Sequence, residues 1–212
     1  MWDCFKKKVL PDDTDSEPNP KPAPEAYPIP SQAKWAHLDP GHVVPRVPMK
    51  LALDYLDANE AKFPNKGWLT IIDFSQHSSR LRFYMIGLQS GKVTRHAVAH
   101  GKNSDPDGDG WATHFSNVNG SLQSCLGFVQ TEGTYNGKYK NSLRLNGLSR
   151  SNSNMRTRAI VCHRSAYVRD GAKLQGRSWG CPALPVAVAD DVIDKIKNGS
   201  LMLLWYPLWK SS

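Results

Sequence analysis

The chain has 212 residues, and its 27 Lys and Arg against 19 Asp and Glu give a net charge of +8 at pH 7. A hydrophobic content of 40% is sufficient for one core of ordinary size, so we predict a single compact domain. No apolar stretch of about 18 residues occurs, so we predict no transmembrane segment. Scattered arginines, without a helix-turn-helix pattern or an RNA-binding aromatic signature, argue against nucleic acid as the partner.

The N-terminal 47 residues differ in composition from the rest of the chain. Most of the 15 prolines lie between residues 11 and 48, and acidic residues cluster before residue 18. Such a segment forms few backbone hydrogen bonds and buries little apolar surface. We therefore predict a disordered Pro-rich tail over residues 1–47, which tethers a domain of residues 48–212 to an envelope, a virion or another partner.

The first predicted elements are one helix and a strand meander. Apolar residues recur at helical spacing over Met49–Phe63, and Pro64 ends the pattern. Three runs of apolar, β-branched or aromatic residues follow, and a turn at residues 89–92 joins the second to the third. These strands are predicted at Leu69–Phe74, Leu81–Ile86 and Val93–Ala99.

The second half of the chain begins with a turn-rich stretch. Residues 102–156 contain many Gly, Asn and Ser residues, so we predict loops with short strands that wall a cleft. A buried strand is predicted next, then a helix whose apolar face runs from Val188 to Ile196, then a final core strand. The strands of this half are predicted at Leu126–Val129, Ser142–Leu145, Ala159–His163 and Leu201–Tyr206.

Residues 176–184 carry the strongest chemical signal. Cys181 follows Gly180 in a polar turn, and His163 lies eighteen residues upstream. A cysteine attacks well only as a thiolate, so a nucleophilic cysteine needs a base or hydrogen-bond donors nearby. His163 closes the predicted strand, a rigid place from which to present a base. Gly180 permits close backbone approach, so the amides of Gly180 and Cys181 form a candidate oxyanion hole.

The other cysteines are predicted to be structural. Cys162 adjoins His163 in the predicted strand, so its side chain faces the opposite side, as expected for a small buried thiol. Cys125 is also predicted to be structural. Four cysteines allow three complete pairings, but catalysis requires one free thiol, so we predict no disulfide.

Two patterns partly match metal sites. His96 and His100 are at even spacing in a predicted strand, where together with a carboxylate they would suit zinc. Residues 105–110 begin like a calcium-binding loop, but the twelfth position is Ser116 where a bidentate glutamate is needed. We therefore predict no metal, and an exposed acidic turn at residues 105–110.

Two arginines are candidate binding residues. A guanidinium holds a peptide carboxylate with two hydrogen bonds, which draws attention to Arg144 and Arg177. Arg177 precedes Cys181 by four residues. The alternative is that Arg177 is a surface residue that supports the loop.

Seven segments, in this order along the chain, resemble the murein L,D-transpeptidase catalytic-domain-like family of the YkuD-like superfamily. The similarity extends from about Pro48 to Tyr206. The segments are Leu69–Ser75, Ala99–Ser104, His114–Asn117, Gly120–Ser124, Ser142–Leu145, Arg158–Val161 and Gly176–Leu184.

The resemblance implies a mainly β fold with a few helices (α+β), an L,D-transpeptidase-type catalytic domain shaped as a β-sandwich or barrel. It implies that Cys181 is the nucleophile and His163 its general base, with a backbone carbonyl orienting the imidazole. The residues expected around the substrate are Arg177, Ser178, Trp179, His100 and Arg144.

Two positions depart from the family pattern. Arg164 stands where a small residue usually follows the histidine, and we expect it to narrow the mouth of the site. Trp179 stands where the wider superfamily often has a second histidine, so any role of a second imidazole is absent.

The reaction implied by the resemblance is attack on the third residue of a murein tetrapeptide stem, release of the terminal D-alanine and formation of a 3→3 cross-link. It requires no cofactor. Water as acceptor would make the enzyme an L,D-carboxypeptidase, and a lysine of an envelope protein would make it an anchoring or releasing enzyme. A silent wall-binding module and a zinc peptidase are the alternatives from other classes. The substrate implies the periplasm or cell envelope, although the first residues lack the pattern of a signal peptide.

Overall fold

The computed structural model describes residues 33–210, and eight strands and two helices form the framework of this part of the chain. The helices are α1 (Arg46–Ala58) and α2 (Val186–Ile196). The strands are β1 (Trp68–Asp73), β2 (Phe83–Gly87), β3 (Val93–His96), β4 (Gly127–Gly137), β5 (Lys140–Gly147), β6 (Val161–Ser165), β7 (Ala183–Pro185) and β8 (Leu201–Trp205).

All eight strands belong to one sheet, in the order β3-β2-β1-β8-β4-β5-β6-β7. The β1–β8 and β6–β7 pairs are parallel, and the other pairs are antiparallel. Isolated bridges from Ala99 to Ala183 and from Gly101 to Ser178 join the chain after β3 to the chain around the start of β7. The sheet therefore almost closes into a barrel, which confirms the predicted fold class.

The two helices cover opposite faces of this sheet. In β1, Leu69 and Ile71 pack in the cluster that contains α1, whereas Ile72 packs in the cluster that contains α2. In β8, Leu203 joins the first cluster and Met202 joins the second. Side chains of a strand alternate between faces, so strands buried on both sides consist of continuous apolar runs. That pattern explains why β1 and β8 were predictable.

Two predicted elements differ from the structure. Helix α1 ends at Ala58, and a separate 3-10 turn covers Glu60–Lys62, because Asn59 leaves the helical conformation and its Nδ2 bonds the Tyr55 carbonyl at 3.0 Å. The turn-rich middle contains the longest strand, β4, paired with β5. A register shift between Thr131 and Thr134 accommodates the glycine inside β4, as is usual for a bulge.

The predicted tail lies mostly outside the described residues. Where the structure does describe it, from residue 33 onward, Leu38 and Val44 are buried in the α1 cluster. Both carboxylate oxygens of Asp39 accept backbone N–H bonds, from Val43 and Val44. Neither helix among residues 33–210 is long and apolar enough to cross a membrane.

Candidate active site

The segment before β7 is held in place by one serine hydroxyl. Ser178 Oγ donates to the carbonyl of Cys181 at 2.6 Å and accepts the N–H of Gly180 at 3.1 Å. The Ser178 backbone N–H donates to the His100 carbonyl at 2.9 Å, and its own carbonyl accepts the Lys102 N–H at 2.7 Å. The turn that carries Cys181 is therefore closed on itself and fastened to the chain after β3.

Gly180 occupies a conformation that requires glycine. Its φ is +118°, and a Cβ at this position would lie 2.6 Å from the carbonyl oxygen of Gln123. Its N–H is engaged by Ser178 Oγ, so the predicted oxyanion hole cannot use this amide in the observed arrangement. The Cys181 N–H, in contrast, makes no hydrogen bond to any residue in the described range 33–210.

His163 lies in the middle of β6, not at the strand end predicted from the sequence. Its Nδ1 is 2.9 Å from the Arg164 carbonyl, an acceptor, so Nδ1 carries the proton and Nε2 is left with a free lone pair. The ring is buried and stacks on Tyr139 at 4.0 Å between centroids. The imidazole is thus fixed as a neutral base by the backbone carbonyl and by the tip of the β4–β5 hairpin.

The strand register brings the segment that carries Cys181 next to the backbone of His163. His163 pairs with Ala183 in the β6–β7 ladder, and its N–H donates to the Pro182 carbonyl at 3.3 Å. Cys181 directly precedes Pro182, and its Sγ lies 3.9 Å from the Ala159 carbonyl and packs against the α2 cluster. Cys162 projects to the face opposite His163 and is buried in the α2 cluster, as predicted.

Arg164 does not narrow the site. Its guanidinium bonds the Asp190 carboxylate on α2 at 3.0 Å. Because neighbours in a strand face opposite sides, Arg164 leaves the face that His163 occupies. The expectation of a narrower mouth from this departure is therefore wrong.

Arg158 is a site residue that sequence analysis missed. Its guanidinium bonds the carbonyls of Ser116 and Gln123, both at 2.6 Å, and Ser121 Oγ at 3.1 Å. Its positive charge also lowers the pKa of the nearby Cys181 thiol. Arg158 begins one of the segments that resemble the family. A single arginine in a turn, however, has no sequence pattern that predicts its hydrogen bonds to the carbonyls of distant loops.

The electrostatics favour a neutral resting pair. Burial raises the pKa of Cys181 above its ordinary value, although a hydrogen bond from the Val161 N–H and the charge of Arg158 oppose this effect. Burial lowers the pKa of His163 below its ordinary value, against the opposing effect of the Arg164 carbonyl. At neutral pH the site therefore holds a thiol and an imidazole rather than a thiolate and an imidazolium.

This charge state predicts a specific pH dependence. We expect alkylation of Cys181 by iodoacetamide to be slow at pH 7 and to rise until the pH exceeds the ordinary thiol pKa of about 8.5. Mass spectrometry of the alkylated peptide at each pH measures the curve. A plateau already reached below pH 7 would show a preformed thiolate and contradict the neutral pair.

The predicted binding residues fall into two groups. Trp179 is 75% exposed at the mouth of the turn. Arg144 lies on the same face as His163, with its Nη1 3.0 Å from the Thr134 carbonyl and its guanidinium over the Tyr135 ring. Arg177 donates to the Asp105 carbonyl at 2.6 Å, so the arginine supports a neighbouring loop.

The remaining candidates are buried. His100 and Asp105 are each almost fully buried, so Asp105 is not part of an exposed turn. Strand β3 ends at His96, hence His96 and His100 do not share a strand. Within residues 33–210 no group of three or more His, Cys, Asp or Glu side chains is arranged to hold a metal ion.

Comparison with known sequences decides the family. Residues 43–205 match the sequence profile of the L,D-transpeptidase catalytic domain. The chain belongs to this family. No match was found among curated proteins.

Solved structures similar to this L,D-transpeptidase-family chain share little of its sequence. An L,D-transpeptidase from Mycobacterium smegmatis is 12% identical, with 66% of this chain and 59% of that chain covered and a TM-score of 0.41. The helical cell shape determining protein Pgp2 from Campylobacter jejuni is 12% identical, with coverages of 71% and 51% and a TM-score of 0.44. The chain spans between about half and three fifths of the length of these two proteins.

Proposed function

We propose that this domain is a cysteine-dependent L,D-transpeptidase that acts on peptidoglycan stem peptides. The observation that carries the proposal is the backbone bond from His163 to Pro182, the residue after Cys181, together with an imidazole whose Nδ1 is held by the Arg164 carbonyl. A base fixed in one tautomer beside a thiol is the arrangement that cysteine acyl transfer requires.

The first half of the proposed reaction forms a thioester. Cys181 Sγ attacks the carbonyl of the third residue of a tetrapeptide stem while its proton passes to Nε2 of His163. The oxyanion then forms near the free N–H of Cys181. As the C–N bond breaks, His163 returns the proton to the departing D-alanine amine.

The second half transfers the acyl group. An amine of another stem attacks the thioester carbonyl, its proton passes to His163, and the C–S bond breaks to give a 3→3 cross-link and the free thiol. Water in place of the amine gives the L,D-carboxypeptidase reaction at the same site, and a protein lysine gives attachment or release of a wall-linked protein. No metal or organic cofactor takes part in this scheme.

The proposed substrate implies where the domain acts. Peptidoglycan places the domain in the periplasm or cell envelope, with the Pro-rich tail as a tether. The positive charge of the chain suits a polyanionic wall, and the exposed Trp179 and the arginine Arg144 are the proposed contacts for the stem peptide.

The test is mass spectrometry of purified disaccharide-tetrapeptide after incubation with the protein and with Cys181→Ala. We expect the wild type to release D-alanine, form a cross-linked dimer and carry a transient acyl adduct, and we expect Cys181→Ala to do none of these. Cys162→Ala is the matched control, because this thiol faces the α2 core, and it should retain activity.

The products also separate the alternatives. Tripeptide without dimer would identify a carboxypeptidase. Retained wall binding with no product from the wild type would support a binding module. Activity abolished by a chelator but tolerant of thiol alkylation would indicate a zinc peptidase and overturn the proposal.

A further inference from the structure

A buried charged network lies behind the turn that carries Cys181. Arg82 is fully buried, and its guanidinium donates to His100 Nδ1 at 2.6 Å and to the Val98 carbonyl at 3.2 Å. Nε2 of His100 lies 3.4 Å from the carboxylate of Asp105. Arg177 completes the line by donating to the Asp105 carbonyl at 2.6 Å.

The protons of this network are assigned by its chemistry. A guanidinium only donates, so Nδ1 of His100 must accept, and the ring proton resides on Nε2, facing Asp105. The ring is therefore neutral, and burial together with the charge of Arg82 lowers the pKa of His100 to about 4. Every polar atom of the imidazole is then satisfied inside the protein, which leaves it none for a substrate.

The network connects to the nucleophile through the backbone of the same histidine. The His100 carbonyl accepts the Ser178 N–H at 2.9 Å, and Ser178 Oγ in turn bonds the carbonyl of Cys181. The Ser178 carbonyl accepts the Lys102 N–H at 2.7 Å, which completes the bridge between the two segments. Fixing the ring of His100 therefore fixes the backbone on which the Cys181 turn rests.

Asp105 connects the buried network to the acidic loop of residues 105–110. Its carboxylate accepts the N–H groups of Gly108, Asp109 and Gly110, which folds the acidic loop around it. The neutral imidazole therefore lies between a cation and a carboxylate, and each of the three groups has its hydrogen-bond partners. Buried polar groups that are fully satisfied in this way specify one geometry.

We propose that Arg82, His100, Asp105 and Arg177 act as positioning residues that hold the Cys181 turn in its reactive place. This inference rests on the proposed function for its kinetic consequence. Its structural consequence, the fixed environment of the Cys181 thiol, does not depend on any substrate.

The experiment compares His100→Leu with His100→Gln. A glutamine amide can accept from Arg82 and donate to Asp105, whereas leucine can do neither. In His100→Leu we expect kcat to fall about tenfold or more with KM within about twofold, since misplacement of a reacting group of about 1 Å costs up to about 100-fold. His100→Gln should recover most of that loss.

The thiols supply a readout that needs no substrate. Cys125 and Cys162 are fully buried, whereas Cys181 is only partly buried. Timed iodoacetamide labelling should show Cys181 in His100→Leu reacting at least about threefold faster than in the wild type. Cys125 and Cys162 should stay protected.

A second substitution guards against a variant that fails to fold. Arg177→Met removes the outer end of the network without emptying the core, and it should shift kcat and Cys181 labelling in the same directions by smaller factors. Lys173→Met is its control, because Lys173 is exposed and the substitution removes the same charge from the same segment.

The outcomes separate this inference from the proposed function. Unchanged labelling and kcat in folded His100→Leu and in Arg177→Met would overturn the positioning role. Labelling of Cys125 and Cys162 together with Cys181 would also overturn it, since it would show a general loosening. If the wild type turns over no stem peptide, the proposed function fails while selective labelling of Cys181 still supports the positioning role.

Discussion

Replacing His163 with glutamine is expected to lower the rate of acyl-enzyme formation about 10²- to 10⁴-fold, the range of a lost general base. The resting thiol is protonated because burial raises the pKa of Cys181, so attack requires a group that removes its proton. The His163 backbone bonds the carbonyl of Pro182, next to Cys181, and Nε2 of its ring has a free lone pair, so His163 is the proposed base. The rate of adduct formation on intact protein, followed by mass spectrometry, measures the effect.

The pH dependence of the same rate adds a second readout. Because burial lowers the pKa of His163, the wild-type rate should fall only when the pH drops below the ordinary histidine pKa of about 6.5. In His163→Gln this acid limb should disappear. His114→Gln is the matched control, since the ring of His114 is exposed and, within residues 33–210, its only hydrogen bond joins Nδ1 to the adjacent Thr113 hydroxyl. An acid limb that persisted in His163→Gln would assign the base to another group.

Replacing Gly180 with alanine is expected to destabilise the domain and to abolish most of its activity. The backbone at φ +118° is strained for any residue with a Cβ, and that Cβ would lie 2.6 Å from the Gln123 carbonyl oxygen and 3.0 Å from Ile160. Strain of this kind costs about 1–3 kcal/mol. For a domain of this size each kcal/mol lowers Tm by about 2–4 °C. Differential scanning calorimetry and the rate of adduct formation measure the two effects.

Gly171→Ala separates the clash from backbone strain alone. Gly171 also has a positive φ, of +80°, but a Cβ there would have no atom within 4 Å. We expect Gly171→Ala to lower Tm slightly and to leave adduct formation unchanged. Equal losses in the two variants would mean that the contact between Gly180 and Gln123 does not hold the Cys181 turn in place.

The parts of the fold that were predictable are those with one strong local pattern. Strands β1 and β8 are buried on both faces, so their apolar runs stand out in the sequence. Only the start of strand β4 was predicted, as Leu126–Val129, because its second half is partly exposed and rich in Gly, Asn and Thr. Its pairing with β5 stabilises it, and pairing between distant residues leaves no local periodicity.

The candidate site divides in the same way. Cys181 and His163 were identifiable because their chemistry is unusual and their segments resemble a known family. Arg158 and Tyr139 were not, since a guanidinium on loop carbonyls and a ring stacked on an imidazole depend on contacts across the fold. The buried Arg82 was missed for the opposite reason, because a charged residue next to a strand is normally assigned to the surface.

The barrel is almost closed by two isolated bridges, Ala99 to Ala183 and Gly101 to Ser178, and we call this junction the seam. A seam of single-residue bridges at Ala99 and Gly101 has few hydrogen bonds to break, whereas the other junctions of the sheet are continuous ladders. Local opening of a protein follows the region of least stability. Cys181 belongs to one side of this seam, and the cluster that contains α2 reaches the seam through Val98, Leu184 and the partly buried Cys181. The closure of the barrel therefore depends on side chains as well as on strand pairing, because the buried network of Arg82, His100 and Asp105 lies against the one junction that has few ladder bonds.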